Sequence, residues 1–517
     1  MITLPSLIER AARLNPLGTA TTYAGRQHNW TDLHSRIARL GAGLQTLSLE
    51  EGDRVAVLSL NNDRYYESVF GIPWAGYCVV PLNTRWALPE NQYALKDSGA
   101  RVLLFDHNFT DQAEQLLAEV DGLDVAIYMG DDESPSWARG YEQLIDDNDA
   151  IPASGRGGDQ MAGIFYTGGT TGFPKGVMQS HRAIWSSAVG AMPNFSMEGD
   201  SAYLHVAPMF HMADFAGSMG VTLSCGKNVV LESFDPGQVL QTIAEERITH
   251  ALLVPAMIKM LLNHPDASSA DMSSMVCMIY GASPMPAATL EQCMETWPTV
   301  GMAQAYGQTE LAPIATMLSM NDHKRGGERL KSAGRPTAVS DLRIVDETGI
   351  DCPRGNSGEI VVRGPHTMLG YWNKPEETAR ALQDGWVYTG DAGYLDDGGY
   401  LFIVDRVKDM VVTGGENVFT TEVENAVISH EAVQDVAVIG IPHAEWGEAV
   451  HAIVILHPGQ DVTEEQLLDH CRERIAGYKL PKGITFREEP LPLSGAGKVL
   501  KTELRKPYWQ GQDRQVN

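Results

Sequence analysis

Short apolar runs rich in β-branched residues alternate with longer amphipathic stretches through most of the chain. The runs predicted to be strands include residues 54–59, 78–81, 102–105 and 228–231, and the predicted helices include residues 235–247 and 287–296. A segment rich in Asp, Ser and Gly, residues 130–158, is expected to be an exposed connection. Because strands that alternate with helices generally form mostly parallel sheets covered by helices, the pattern predicts an α/β protein with parallel or mixed sheets.

The C-terminal part of the chain has the pattern of a separate small unit. A short apolar run leads to a Gly-Gly turn, a helix predicted from about Thr421, and strands at residues 436–440 and 452–456. We therefore predict a large N-terminal domain of residues 1–407 and a small α+β C-terminal domain of residues 408–517.

Composition narrows the classes of function. Of 517 residues, 39 are basic and 66 are acidic, so the net charge of −27 opposes nucleic acid and anionic membranes as partners. The six cysteines have no CxxC spacing, the first residues do not resemble a secretory signal, and no apolar run reaches membrane-spanning length. We expect a cytoplasmic protein without nucleic-acid partners or an integral membrane segment, and we leave open whether it is a homodimer.

The segment from Tyr166 to Val177 is the strongest candidate for a ligand-binding loop. It contains four glycines, three threonines and one lysine in twelve residues. Bare backbone N–H groups, hydroxyls and one cation suit the β- and γ-phosphates of a nucleotide. The loop is not a Walker motif, because Lys175 lies between Pro174 and Gly176.

Three further motifs carry chemistry only in combination. Tyr306-Gly-Gln-Thr-Glu310 joins an aromatic ring, a hydroxyl and a carboxylate, which suit a purine, a phosphate and Mg²⁺, although alone it is more typical of an ordinary turn. The carboxylate of Asp391 at a loop tip could accept hydrogen bonds from two ribose hydroxyls, or could simply be solvated. Lys498 in a Gly-Lys turn could reach into a cleft or remain in solvent.

Taken together and in this order, the motifs resemble those of the ANL adenylate-forming enzymes over nearly the whole chain. That family includes acyl-CoA and aryl-CoA synthetases, luciferases and the adenylation domains of peptide synthetases. The resemblance rests on the Tyr166 loop, Gly281-Ala-Ser283, Tyr306-Gly-Gln-Thr-Glu310, Tyr388-Thr-Gly-Asp391, Asp405-Arg-Val-Lys408, Gly414-Gly-Glu-Asn417 and Gly497-Lys498. Gly168 stands where many relatives have serine.

The resemblance implies a role for each matching position. The implied catalytic residues are Lys175, Thr309, Glu310 and Lys498, and the implied Mg²⁺ ligands are Thr167 and Glu310. The implied nucleotide-binding residues are Thr167, Gly168, Gly169, Thr170, Thr171, Gly172, Lys175, Gly281, Ala282, Ser283, Ala305, Tyr306, Gly307, Thr309, Asp391, Arg406 and Lys498. The implied acyl pocket comprises His211, Met212, Ala213, Gly281, Ala305, Gly307 and Ala312. Gly414, Gly415, Glu416 and Trp446 would face coenzyme A, and Lys408 would be the hinge of a mobile C-terminal domain.

The implied reaction uses ATP, Mg²⁺ and coenzyme A to convert a carboxylic acid, through an acyl-AMP, into an acyl-CoA thioester. The small or flexible residues Met212, Ala213, Ala305 and Gly307 favour a medium- or long-chain fatty acid or an aromatic acid of the cinnamate or benzoate type. Alternatives are a stand-alone enzyme that loads a carrier protein, a luciferase-like oxygenase and a non-catalytic nucleotide-binding relative. His211 and Asp214 also suggest an acyltransferase, but there the acid normally lies four residues after the histidine.

Overall fold

The chain is organised as two units. A computed structural model of the protein describes residues 2–167, 174–406, 409–413, 416–443, 446–493 and 499–509, with the backbone alone at positions 406, 412, 416 and 417. Grouped by mutual contact, unit 1 comprises Met1–Leu342 and Val362–Val387, and unit 2 comprises Arg343–Val361 and Tyr388–Asn517. The domain boundary between residues 407 and 408 stays a prediction, because both residues lie outside the described ranges.

Each of the four predicted runs contains a strand, and the described residues form 27 strands. The first sixteen are β1 (Thr19–Tyr23), β2 (Arg26–Asn29), β3 (Arg54–Leu58), β4 (Cys78–Pro81), β5 (Val102–Phe105), β6 (Val125–Tyr128), β7 (Arg139–Gly140), β8 (Met161–Thr167), β9 (Lys175–Ser180), β10 (Ala202–His205), β11 (Lys227–Val230), β12 (His250–Leu252), β13 (Cys277–Gly281), β14 (Gly301–Gly307), β15 (Ile314–Leu318) and β16 (Arg335–Pro336). They are followed by β17 (Asp341–Val345), β18 (Gly358–Arg363), β19 (Gly370–Tyr371), β20 (Leu382–Gln383), β21 (Trp386–Leu395), β22 (Leu401–Arg406), β23 (Val411–Thr413), β24 (Glu416–Val418), β25 (Val433–His443), β26 (Gly447–Leu456) and β27 (Gly483–Phe486).

Helices separate most of these strands, as the pattern predicts. They are α1 (Pro5–Leu14), α2 (Trp30–Gln45), α3 (Asp63–Ala75), α4 (Leu88–Ser98), α5 (Thr110–Glu119), α6 (Tyr141–Asp146), α7 (His181–Ala191), α8 (Met212–Ser224), α9 (Pro236–Glu245), α10 (Pro255–Leu262), α11 (Ala287–Thr296), α12 (Met320–Arg325), α13 (Pro375–Ala381), α14 (Thr420–Ile428), α15 (Glu464–Arg472) and α16 (Lys501–Trp509). Within the described ranges, no helix combines the length and apolar character needed to cross a bilayer.

The described strands form four sheets. Two belong to unit 1, with the orders β16-β15-β14-β13-β12-β10-β11-β1-β2 and β19-β9-β8-β4-β3-β5-β6-β7. Neighbours are parallel from β14 to β1 in the first sheet and from β8 to β7 in the second. The other two sheets have the orders β17-β18-β21-β20, with β22 beside β21, and β24-β23-β26-β25, with β27 beside β26. The prediction of parallel and mixed sheets is confirmed.

The central strand β3 shows why its sequence is an uninterrupted apolar run. Val55 and Val57 belong to the hydrophobic cluster formed with α2 and α3. Ala56 and Leu58 belong to the cluster formed with α4 and α5 on the opposite face. Because helices cover both faces of a parallel sheet, alternate residues of the strand are equally buried and no polar position interrupts the run.

The expectation of an exposed connection over residues 130–158 is wrong in its middle. Helix α6 lies within this segment, and Tyr141 is only 1% exposed within the same cluster as β3. The Tyr141 hydroxyl donates to Glu67 Oε2 at 3.0 Å, and Glu142 forms an ion pair with Arg36. Long-range partners thus stabilise a short helix that the local composition of Asp, Ser and Gly does not predict.

Candidate functional site

The two strands that carry the glycine and threonine loop are adjacent and antiparallel. Thr167 is the last residue of β8, Lys175 is the first residue of β9, and the two are register partners. The predicted phosphate-binding residues Gly168, Gly169, Thr170, Thr171 and Gly172 lie outside the described residues. The structure thus supplies a rigid base at both ends of this loop.

Tyr166 stabilises that base instead of facing a ligand. Its hydroxyl donates to Asp97 Oδ2 at 2.7 Å, and Trp372 Nε1 donates to the Asp97 carbonyl at 2.8 Å. The Trp372 N–H donates to the Gly176 carbonyl at 2.7 Å. Burial and the Asp97 carboxylate raise the pKa of Tyr166 well above its usual value, so this hydroxyl stays protonated and remains a donor. The C-terminal end of α4 therefore holds both strands.

Gly281 and Gly307 are explained by close approach of the backbone. Gly281 ends β13 and is the register partner of Ala305 on β14. A Cβ on Gly281 would lie 2.3 Å from the Ala305 carbonyl oxygen, and a Cβ on Gly307 would lie 1.8 Å from that of Pro313. The turn after β13 continues with Ala282 at a φ of +64°. These two glycines are required by strand packing, so they do not by themselves indicate a large acyl pocket.

Glu310 and Lys175, which are distant in sequence, contact one side chain. The Tyr371 hydroxyl donates to Glu310 Oε1 at 2.8 Å, and the Lys175 ammonium lies 4.9 Å from the centre of the Tyr371 ring. The turn that contains Glu310 is held by Gln179 Nε2, which donates to the Thr309 carbonyl at 2.6 Å. Three of the predicted catalytic residues therefore lie in one place in unit 1.

Sequence reasoning missed Tyr371 and Gln179. Gln179 is a buried polar residue on β9, and Tyr371 follows Gly370 in the two-residue strand β19. The buried position of a glutamine inside an apolar strand is the one local signal that could have drawn attention to it. Tyr371 gives no comparable signal, because its partner lies 61 positions away in the chain.

Three of the residues predicted to line the acyl pocket, His211, Met212 and Ala213, lie at the start of α8. His211 caps this helix, because its Nδ1 accepts from the Ala213 N–H at 3.3 Å. Met212 is buried, as is Ala312 beyond β14, whereas Ala213 and Ala305 are partly buried against one apolar cluster. The structure therefore brings pocket residues from α8 and β14 to the same cluster.

Asp214 pairs with His205 and not with His211. Asp214 Oδ2 lies 2.7 Å from His205 Nδ1, and His205 Nε2 lies 2.9 Å from Asn228 Oδ1. Asn228 Nδ2 donates to the Ala20 carbonyl at 2.9 Å, and none of these three side chains is exposed. The network ties the first turn of α8 to three strands, which removes the basis for an acyltransferase pair.

Replacing Asp214 by alanine is expected to lower the free energy of unfolding by about 3 kcal/mol, because it leaves Nδ1 of the buried His205 without its carboxylate partner. Urea denaturation of the full chain measures this change. The matched control is Asp266→Ala, since Asp266 lies 3.7 Å from His264 but is 74% exposed. That change should cost less than about 1 kcal/mol. Equal losses in the two variants would contradict the assignment.

Asp391 lies in unit 2 within strand β21, so the expectation that it lies at a loop tip is wrong. It is 8% exposed, and its register partner on β22 is Arg406, whose side chain lies outside the described part of the structure. The preceding Gly390 N–H donates to Glu359 Oε1 at 3.0 Å, and burial raises the pKa of Glu359. The predicted ribose carboxylate is therefore fixed by its strand.

The region predicted to face coenzyme A is described in part. Four of the predicted residues lie outside the described ranges, namely Gly414, Gly415, the predicted hinge residue Lys408 and the predicted catalytic residue Lys498. Glu416 begins β24. Trp446 stacks on His443 with ring centres 4.2 Å apart, and the Lys482 ammonium lies 5.2 Å from the Trp446 ring. Trp446 is partly buried, so a cation and an aromatic pair together form a surface feature of unit 2.

Known proteins match this arrangement over nearly its full length. Residues 8–372 match the family described as AMP-binding enzyme, and residues 422–498 match the AMP-binding enzyme C-terminal domain. The chain is 37% identical to a feruloyl-CoA synthase of Amycolatopsis sp., across 96% of this chain and 98% of that protein. It is 34% identical to the fatty acid–[acyl-carrier-protein] ligase ScoC of Streptomyces coeruleorubidus, across 98% and 96%.

A solved structure gives the same assignment. The ATP-bound crystal structure of MatB from Rhodopseudomonas palustris superposes with a TM-score of 0.89 at 30% identity, over 98% of this chain and 99% of that one. The chain therefore belongs to the AMP-binding enzymes, and the prediction of an adenylate-forming enzyme of the acyl-CoA ligase type is confirmed.

Proposed function

We propose that this protein joins an aromatic acid or a medium- to long-chain fatty acid to coenzyme A. The observation that carries the proposal is the contact of Lys175 and Glu310 with one side chain, at the strand end where the glycine and threonine loop begins. A cation and a carboxylate held there suit the polyphosphate of ATP and the divalent ion that accompanies it.

The first step forms the acyl-AMP. A carboxylate oxygen of the acid attacks the α-phosphorus of ATP, the bond to the bridging oxygen breaks, and pyrophosphate leaves. Because both reactants are anions, the protein must align them and place positive charge where the transition state gains negative charge. Lys175 supplies that charge near the leaving phosphates, the hydroxyl of Thr309 donates a hydrogen bond near the α-phosphate, and Asp391 orients the ribose.

The second step forms the thioester. The sulfur of coenzyme A attacks the acyl carbon, the bond to AMP breaks, AMP leaves with the bonding electron pair, and the thiol proton is released. The proposed CoA-facing surface in unit 2 and the proposed hinge at Lys408 serve this step.

The described residues near Glu310 suit Mg²⁺. Glu310 and the hydroxyl of Thr167 supply hard oxygen donors, which this ion prefers. In the part of the chain that is described, no three His, Cys, Asp or Glu side chains converge on a metal cage. Proteins commonly bind Mg²⁺ through one or two carboxylates together with substrate phosphates. When bound, Mg²⁺ would neutralise charge on the phosphates.

The packing around the pocket supports an uncharged acyl group. Ala213 and Ala305 pack against a cluster that includes Phe195, Ile279 and Ile314. Apolar walls favour aromatic rings and alkyl chains over a second carboxylate. The named activities of the relatives, feruloyl-CoA synthase and fatty acid ligase, belong to the same two classes of acid.

The experiment that tests the proposal is a panel of acids assayed for pyrophosphate release with ATP, Mg²⁺ and coenzyme A. Ferulate, benzoate, octanoate and palmitate represent the proposed classes, and acetate and malonate are the controls. We expect release with at least one of the first four and little with the controls. If none of the six gave release, the proposed function would be wrong.

The same panel separates coenzyme A from a carrier protein as the acceptor. We expect a thioester with coenzyme A and none with a holo-acyl carrier protein. The similarity to ScoC makes this comparison necessary. Transfer to the carrier alone would replace the proposed acceptor while leaving acid activation intact.

Replacing Trp446 by alanine should raise the KM for coenzyme A about tenfold, since stacking of a base on an aromatic ring contributes about 1–3 kcal/mol. Release of pyrophosphate without coenzyme A should not change. Phe486→Ala is the matched control, because Phe486 is an aromatic residue of unit 2 that is 42% exposed. An unchanged KM in the Trp446 variant would place the nucleotide of coenzyme A elsewhere.

A further inference from the structure

We propose that Tyr371 is a positioning residue that holds Glu310 for the divalent ion and keeps Lys175 apart from that carboxylate. The inference rests on the proposed function and deepens it. Tyr371 contacts both groups, through its hydroxyl at 2.8 Å from Glu310 Oε1 and through its ring at 4.9 Å from the Lys175 ammonium.

The Tyr371 ring has a fixed position. It is 8% exposed and packs in a small cluster with Val177 and Met368. Its backbone pairs with Val177 on β9, and its N–H donates to Thr378 Oγ1 at 2.9 Å. Strand pairing, burial and this hydrogen bond therefore all restrain the side chain that contacts the two charged groups.

The turn that carries Glu310 is restrained by β9 and by the segment that leads into β19. The Met368 N–H donates to the Glu310 carbonyl at 2.8 Å, and Gln179 on β9 donates to the carbonyl of Thr309. One donor thus fixes the backbone of Glu310, a second fixes the backbone of the preceding residue, and the Tyr371 hydroxyl fixes the carboxylate. A hydrogen bond to one carboxylate oxygen sets the direction in which the remaining lone pairs face.

The second role concerns charge. A lysine and a glutamate in the same place attract one another, and a direct ion pair would occupy both groups that the phosphates and the metal need. In the described part of the chain, Lys175 and Glu310 do not pair with each other; the lysine instead lies over the tyrosine ring. A cation–π contact restrains an ammonium without using its N–H donors. The Lys175 ammonium therefore keeps its N–H donors for a phosphate.

Two substitutions separate the two roles. Tyr371→Phe removes the hydroxyl and keeps the ring, whereas Tyr371→Leu removes both. The measurement is equilibrium binding of ATP to the full chain, with and without Mg²⁺ and without acid, so that turnover does not contribute. The ratio of the ATP dissociation constants without and with Mg²⁺ measures how much the ion tightens binding. For Tyr371→Phe we expect this ratio to fall about tenfold, the size expected for loss of a hydrogen bond to a charged group. Binding of ATP without Mg²⁺ should stay within about twofold.

For Tyr371→Leu we expect the same loss and, in addition, ATP binding without Mg²⁺ that is weaker by about threefold or more, because Lys175 is then released from the ring. The control is Tyr128→Phe, which removes another tyrosine hydroxyl bonded to a carboxylate, that of Asp132. This variant should bind ATP as the unchanged protein does under both conditions.

A double-mutant cycle distinguishes a local effect of Tyr371→Phe from a general loss of folding. In a Glu310→Gln background, Tyr371→Phe should have no further effect on the Mg²⁺ dependence, because the carboxylate that the hydroxyl positions for the ion is then already absent. Full retention of the Mg²⁺ effect in Tyr371→Phe, or additive losses in the cycle, would overturn the inference. Failure of the acid panel together with the expected losses here would overturn the proposed function and leave the role of Tyr371 in place.

Discussion

Replacing Glu310 by alanine is expected to lower acid-dependent pyrophosphate release about a thousandfold, the scale on which loss of one preorganised charge acts in a transition state. The reason is that three hydrogen bonds hold Glu310 and its turn. The Tyr371 hydroxyl donates to its carboxylate, the Met368 N–H donates to its carbonyl, and Gln179 donates to the carbonyl of Thr309. A group fixed in this way costs no reorganisation when the phosphates bind.

Glu310→Gln sharpens the experiment. The amide keeps an oxygen for the Tyr371 hydroxyl and almost the same volume, so folding should be preserved while the negative charge is lost. Initial rates are compared at saturating ATP and acid over a range of Mg²⁺ concentrations. We expect a loss similar to that of the alanine variant, relieved in part by excess Mg²⁺. Glu328→Ala, at an 83% exposed position, is the control. A loss of less than tenfold in Glu310→Gln would remove Glu310 from the catalytic set.

The fold was largely predictable because its signals are local. The apolar run at residues 54–59 becomes β3, Arg54–Leu58, and the predicted helix at residues 287–296 becomes α11, Ala287–Thr296. A strand buried on both faces needs a continuous apolar run whatever its partners are. Helix α6 could not be predicted in this way, because Tyr141 and Glu142 are stabilised by partners in α2 and α3.

The site was predictable to the extent that it consists of contiguous motifs. The loop from Tyr166 and the turn at Thr309 and Glu310 are each visible in a few residues. The connection between them is not, because Tyr371 reaches Glu310 through the pairing of β19 with β9. Likewise, spacing suggested His211 as the partner of Asp214, whereas the sheet places His205 there. Contacts set by sheet order are invisible to motif spacing.

For two residues, the structural reason for the residue type differs from the one that the sequence suggests. Gly307 suggested a roomy pocket, yet a Cβ there would meet a backbone oxygen at 1.8 Å. The helix predicted from about Thr421 begins at Thr420, whose N–H and hydroxyl both donate to the carboxylate of Asp405. In both cases the residue type was informative, and only the contacts in the folded chain show what it is needed for.

Lys498→Ala should abolish acyl-AMP formation, with a loss of about a thousandfold or more, and should leave thioester formation from supplied acyl-AMP within about threefold. Lys498 lies outside the described residues, so this expectation rests on the motif and on its neighbours. Leu493 and Val499 form an antiparallel bridge, and the Leu500 N–H donates to the Pro492 carbonyl at 2.8 Å. The residues on either side of the Gly-Lys turn are therefore held together.

The role of Lys498 is identified by the difference between the rate loss in acyl-AMP formation and the rate loss in thioester formation. An ammonium that stabilises negative charge on the reacting acid and phosphate acts while pyrophosphate leaves, and it has no corresponding task when a neutral acyl group passes to sulfur. Both half-reactions are therefore measured separately, as pyrophosphate release and as thioester formation from synthetic acyl-AMP. Lys506→Ala, which removes a 62% exposed lysine paired with Glu503, is the control and should affect neither step. Equal loss of both steps in Lys498→Ala would show that this lysine supports the fold of unit 2 and not the chemistry of adenylation.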